Sequence, residues 1–132
     1  HYRKSSLDNG QIIIEARFKI QKNNKSKIKK TISTISDKRK KSQPVSSRTG
    51  GSTFTNPTLY PAWKLIDEID YRGKQLGGAK VSSLHSNFLI NYKNASSLDL
   101  EILGEEIKKK VWDKRKINLK WELIRIGEFK KV

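Results

Sequence analysis

Asn87-Phe88-Leu89-Ile90-Asn91-Tyr92, followed by Asn94-Ala95-Ser96-Ser97 and the run to Lys114, is the stretch on which the fold turns. The first six residues read as an apolar strand. The serines after it offer helix caps, and Leu100, Leu103, Ile107 and Val111 then recur at helical spacing, which predicts a buried stripe on a helix ending near Lys114. On the N-terminal side, Gly77-Gly78 leads into a short strand at Ala79 to Val81, and Ala62 to Ile69 reads as a helix with Leu65, Ile66 and Ile69 inward. On the C-terminal side, Leu119, Trp121 and Leu123 alternate with Lys120, Glu122 and Ile124, which predicts a closing strand over Leu119 to Ile126.

Further out, Ile14, Ala16, Phe18 and Ile20 alternate with Glu15, Arg17 and Lys19, so Gln11 to Ile20 reads as a strand. Asp8-Asn9-Gly10 before it is a turn, which makes Tyr2 to Leu7 a partner strand carrying Arg3. From Lys22 to Lys41, Ile28, Ile32 and Ile35 mark a solvated amphipathic helix covered in lysine. Ser42 to Pro61 is a polar, proline-bounded connection in which Gly50-Gly51 presents Ser52 in a tight turn. The strands and helices lack the regular rhythm and fingerprint loop of a doubly wound dinucleotide fold. The expected class is α+β, a small mixed sheet with helices packed on one face.

A chain of 132 residues with 34% hydrophobic content supports one modest domain or part of a larger protein, and no segment is apolar enough to span a bilayer. It begins at His1 without an initiator methionine or leader, which reads as an excised portion of a longer, soluble protein. With no cysteine and two separated histidines, a disulfide framework and a thiolate or histidine metal site are not expected, and a reducing, cytoplasmic setting fits. The net charge of +16 calls for a negative partner, either an anionic ligand or nucleic acid. Lysine outweighs arginine, and no aromatic side chain interrupts the basic run to stack a base.

Several chemistries fail on spacing. Neither glycine pair is followed by Lys-Ser or Lys-Thr, as a P-loop requires, and Ser52 lacks both the second glycine of a hydrolase elbow and a convincing histidine base. Gly73-Lys74-Gln75-Leu76-Gly77 has one residue too many for an RNA-clamping Gly-x-x-Gly loop. There remain a serine beside two glycines, an arginine near the start and a glutamate near the end.

A series of short blocks is familiar in its order: Tyr2-Arg3-Lys4-Ser5, Gln43-Pro44, Gly50-Gly51-Ser52-Thr53-Phe54-Thr55-Asn56-Pro57, Lys64-Leu65-Ile66-Asp67 and Arg72-Gly73. It continues through Gly77 to Ser82, His85-Ser86-Asn87-Phe88-Leu89-Ile90-Asn91, Asn94-Ala95, Leu119-Lys120-Trp121-Glu122 and Ile126-Gly127. The chain therefore resembles, almost end to end, the C-terminal portion of the UDP-N-acetylenolpyruvoylglucosamine reductase family. The short Pro57 to Ala62 connection implies the subtype without the inserted substrate-covering loop.

The resemblance implies an FAD-dependent, NADPH-using enzyme that converts UDP-N-acetylglucosamine enolpyruvate to UDP-N-acetylmuramate in peptidoglycan synthesis. The catalytic residues it implies are Ser52 as proton donor, Arg3 beside the substrate carboxylate, and Glu122 at the carboxylate or a proton-relaying water. For the substrate it implies Asn56 and Lys40 or Lys41 near the diphosphate and His85 near the uridine. FAD is then held by an N-terminal domain outside this chain, so no cofactor-binding residue is assigned here and the chain alone is expected to be inactive. The implied division is a strand pair from the end of the FAD-binding domain over 1–21, a connecting helix over 22–42, a substrate-binding domain over 43–118, and a closing strand and tail over 119–132. The resemblance also implies a cytoplasmic monomer, with no nucleic-acid or membrane partner. The alternatives are a basic nucleic-acid-binding module and a truncated, inactive relative. The chain departs from the family at Trp63, at Asp70-Tyr71 and at Tyr92-Lys93, where glycines are usual.

Overall fold

The computed structural model of the chain describes residues 10–127; Arg3 and its expected strand Tyr2 to Leu7 lie outside them. The element order is α1 (Lys25–Ser42), β1 (Thr49–Ser52), α2 (Ala62–Glu68), β2 (Gln75–Leu76), β3 (Ala79–Val81), β4 (Phe88–Asn91) and α3 (Ser97–Arg115). The strands form one sheet in the order β1-β4-β3-β2, with every pairing antiparallel. The class is α+β as expected, but the sheet is antiparallel where the sequence suggests a mixed one. β2, β3 and β4 succeed one another through chain reversals, and β1, separated from β2 by α2, lies at the far edge antiparallel to β4.

The helix after β4 forms as its sequence requires. The Ser96 hydroxyl accepts from the Asp99 N–H at 3.0 Å, and the Asp99 carboxylate accepts from the Ser96 N–H at 3.0 Å, so two of the unpaired donors at the start of α3 are satisfied reciprocally. Asp99 also accepts from the Gly78 N–H at 3.2 Å, which ties the β2–β3 hairpin to the same helix end. Leu103, Ile107 and Val111 are fully buried, and with Leu65 and Ile66 of α2, Val81, Leu89, Phe54 and Leu119 they make the core between α3 and the sheet. Each such side chain contributes about 1.5–3 kcal/mol by leaving water.

α1 starts on Asn24, whose side-chain oxygen accepts from the N–H of Ser26 and of Lys27. It ends at Gln43 before Pro44, with Arg39, Lys40 and Lys41 in its last turn facing the negative end of the helix dipole. It buries none of its residues, and Ile28, Ile32 and Ile35 stay exposed, so the solvated helix stands as the spacing indicates. No helix among the described residues is long and apolar enough to cross a membrane.

Three local expectations are corrected. Gln11 to Ile20 has no strand assignment, and Ile12, Ile14, Phe18 and Ile20 are each more than 80% exposed. Alternation specifies a strand only where a sheet edge receives it, and none among the described residues does. Leu119 to Ile126 keeps the alternation in its burial but forms only an isolated bridge between Trp121 and Phe54. Its partner segment runs out at Pro57, which has no N–H to extend a ladder. Gly50-Gly51-Ser52 is not a tight turn: it is the bulged edge strand β1.

Candidate functional site

Ser52 closes β1, and the register explains how it is aimed. Thr49 pairs with Ile90 and Ser52 with Phe88, so β1 carries one residue more than β4 across the same span. That is a β-bulge, and Gly51 absorbs it at φ 103°, a region that side-chain-bearing L-residues rarely adopt. Bulges bend an edge strand and redirect the side chains beyond them. Ser52 is left half-buried, and its hydroxyl makes no hydrogen bond to another described residue.

The residues after Ser52 are fixed from two sides. The Thr53 N–H donates to the Asn87 carbonyl at 2.8 Å, the Thr53 hydroxyl oxygen accepts from the Leu89 N–H at 3.1 Å, and the Thr53 carbonyl accepts from the Glu122 N–H at 2.8 Å. The Thr55 N–H donates to the Lys120 carbonyl at 2.9 Å. One fully buried threonine thus joins the start of β4 to the segment carrying Glu122. That segment is anchored by Trp121, whose ring lies 5.1 Å from that of Phe54 and whose indole N–H donates to Glu105 at 2.7 Å. Glu122 itself is exposed.

A cleft of about 440 Å³ opens beside β1. Thr49, Gly51 and Phe88 line it together with Pro44, and Arg39 and Lys40 from the last turn of α1 bring positive charge to it. Lys40 of the two expected lysines lines this cleft. Phe88 also meets the imidazole of His85 edge-on, at 4.9 Å, and His85 meets Trp63 at 6.4 Å. Ser52, through its strand partner Phe88, and His85 are therefore neighbours of one side chain.

His85 sits in a loop built by hydroxyls and a guanidinium. The Ser82 oxygen accepts from the N–H of Leu84 and of His85, and Arg72 grips Asp67 through two bonds while donating to the Ser83 carbonyl at 2.9 Å. Burial pushes the His85 pKa below its ordinary value, and the nearby Arg72 charge acts the same way. His85 Nδ1 accepts from the Asn87 N–H at 3.3 Å, so the neutral ring carries its proton on Nε2. Such a ring offers an apolar face and one donor.

Asn56 is exposed, with its side-chain oxygen accepting from the Ala62 N–H at 2.9 Å, which leaves its amide N–H groups for a ligand. Lys40 lines the cleft, Ser52 and His85 each adjoin its wall residue Phe88, and Glu122 is tied in through Thr53, whereas Asn56 is held at the start of α2. Arg3 lies outside the described residues.

Sequence reasoning missed Asn87, Thr53, Arg39 and the contribution of Trp63. Asn87 reads as the first residue of an apolar strand; only the structure shows its amide turned inward. The departure at Asp70 is also resolved: it takes φ 58°, in the left-handed region, which aspartate tolerates better than most residues.

Comparison with known proteins gives the site a lineage. Residues 43–126 match the family described as UDP-N-acetylenolpyruvoylglucosamine reductase, C-terminal domain. The chain is similar to the curated UDP-N-acetylenolpyruvoylglucosamine reductases of Sphingopyxis alaskensis, 46% identical over 96% of the chain and 42% of that protein, and of Gluconobacter oxydans, 48% identical over 96% of the chain and 41% of that protein. Among solved structures, it is similar to the crystal structure of UDP-N-acetylenolpyruvylglucosamine reductase from Thermus caldophilus, with a TM-score of 0.63, 31% identity, and coverage of 80% of this chain and 38% of that one. The chain thus spans about two fifths of the length of the curated relatives it matches.

Proposed function

The chain belongs to the UDP-N-acetylenolpyruvoylglucosamine reductase family as its C-terminal portion, and on that premise we propose that it supplies the substrate-binding and proton-donating half of a reductase acting on UDP-N-acetylglucosamine enolpyruvate. The observation that carries this reading is Phe88, which lines the cleft together with Arg39 and Lys40 of the α1 C-terminus, pairs with Ser52 across the sheet and meets the His85 ring edge-on.

In this reading Lys40 and the free amide N–H groups of Asn56 hold the diphosphate, and the neutral face of His85 lies along the uracil ring. One carbon of the enolpyruvyl double bond would receive a hydride, the chemistry that a flavin bound outside this chain would supply, and the neighbouring carbon takes the Ser52 proton. A serine hydroxyl is a weak acid, so its contribution depends on being held within ~3 Å of that carbon. The family resemblance assigns Arg3, outside the described residues, to the substrate carboxylate, where negative charge spreads during reaction, and Glu122 to that carboxylate or to the water that returns a proton to Ser52.

The described residues do not fit FAD by themselves. Dinucleotides are commonly held by open helix N-termini. Here the start of α1 is occupied by the Asn24 side chain, that of α2 by Asn56, and that of α3 by the Ser96–Asp99 capping box. The flavin therefore belongs to the part of the protein outside this chain, and the chain alone binds substrate without turning it over. A titration of UDP into the isotopically labelled chain tests the binding role. Amide shifts concentrated in Ser52 to Asn56 and around His85 support it; saturable binding elsewhere, or none, overturns it.

A further inference from the structure

We propose that Asn87 is a positioning residue for the Ser52 hydroxyl, an assignment that rests on Ser52 being the proton donor. Asn87 is 4% exposed, and its side chain serves neither a helix end nor its own strand. Its oxygen accepts from the Phe54 N–H at 3.0 Å and its amide nitrogen donates to the Phe54 carbonyl at 2.8 Å, so one planar group satisfies both backbone polar atoms of a fully buried residue. Its backbone carbonyl accepts from the Thr53 N–H at 2.8 Å. Three bonds from one residue thus fix the two residues after Ser52.

The clamp sits where the sheet cannot do this work. The β1–β4 ladder is interrupted by the bulge between Thr49 and Ser52, and Gly51 there takes φ 103°, a region that glycine adopts freely. On its N-terminal side Ser52 therefore hangs from a glycine, so its placement depends on its pairing with Phe88 and on Thr53 and Phe54. An asparagine suits the task as no isostere does: it offers a donor and an acceptor side by side, whereas aspartate offers two acceptors and sets one against the Phe54 carbonyl.

Asn87 also touches the ring that packs on the cleft residue Phe88, because its own N–H donates to His85 Nδ1 at 3.3 Å. Its side chain thus orients the segment after the proton donor, while its backbone orients the ring facing the uracil. Substitution of the side chain leaves the second contact in place, so proton delivery suffers and nucleotide binding does not.

The test uses the FAD-loaded protein completed with the N-terminal part that the curated relatives carry, with flavin absorbance read in a stopped-flow instrument. For Asn87→Asp we expect flavin reduction by NADPH and the affinity for UDP to stay within about threefold of the parent, while reoxidation by the enolpyruvyl substrate slows by about tenfold or more, as small misplacements of a reacting group do. If Asn87→Asp does not fold, Asn87→Ser, whose shorter hydroxyl no longer reaches the Phe54 backbone, is read the same way. Reoxidation at the parental rate, or parallel loss of reduction, affinity and reoxidation, overturns the proposal. Ser52→Ala run alongside separates the two layers. If it reoxidises normally, the proton-donor reading fails and this inference with it; if it is blocked while the Asn87 variant is parental, only the role of Asn87 is overturned.

Discussion

The indole of Trp121 rests on the bare Cα of Gly104 in α3. A Cβ at Gly104 would stand 2.5 Å from Trp121 Cζ2 and collide with Cη2 as well. Retreat of the ring is opposed, since Phe54 lies against it and Glu105 holds its N–H. Gly104→Ala is therefore expected to destabilise the chain by about 2 kcal/mol through overpacking, although alanine is the better helix former. Urea unfolding checks the stability, and a displaced Trp121 indole N–H resonance checks the cause.

The two glycines before Ser52 are not equivalent. Gly50 has an ordinary φ, and a Cβ there meets only the side chain of Leu123, with Cδ2 at 3.1 Å, the far end of a flexible group. Gly51 has open space around it but φ 103°. Gly51→Ala should lower stability by about 1–2 kcal/mol and blur the β1 register, whereas Gly50→Ala should cost well under ~1 kcal/mol. Equal losses in thermal or urea unfolding would contradict the bulge as described.

Asp99 links acid stability to the α3 start. Hydrogen bonds from the backbone N–H of Ser96 first, and then of Gly78, hold its carboxyl pKa below the ordinary aspartate value. A folded pKa lower than the unfolded one means that the unfolded chain binds the proton more readily. The contribution is present in full above the usual aspartate pKa of about 3.9 and is lost as pH falls through the folded value. Asp99→Asn should remove that component, so the slope of unfolding free energy against pH below about pH 4 should flatten in the variant. An unchanged slope would contradict the capping role.

Local pattern can specify only part of this fold. α3 is legible because its cap, its stripe and its ending all agree, and Ala79 to Val81 and Phe88 to Asn91 are legible as short apolar runs beside turn residues. Gln11 to Ile20 and Leu119 to Ile126 carry the alternation of strands yet form no ladder, because pairing belongs to the partner and not to the segment. Gly50-Gly51-Ser52 misleads in the opposite direction, since glycine marks a bulge and a turn alike. Ser52, Asn56, Lys40, His85 and Glu122 are proposed as site residues by resemblance alone. Asn87 is not, because nothing in a lone asparagine tells whether its amide faces water or a buried backbone.

The central claim is that Ser52 gives its proton to the substrate. In the FAD-loaded protein, Ser52→Ala should let NADPH reduce the flavin at close to the parental rate and should leave UDP affinity intact, because the hydroxyl makes no hydrogen bond to another described residue whose loss would disturb the fold. Mixing the reduced variant with UDP-N-acetylglucosamine enolpyruvate and monitoring flavin absorbance is the most direct measurement. The account predicts that reoxidation by substrate is blocked, slowed at least about a hundredfold as loss of a positioned proton donor implies; reoxidation at the parental rate would contradict it.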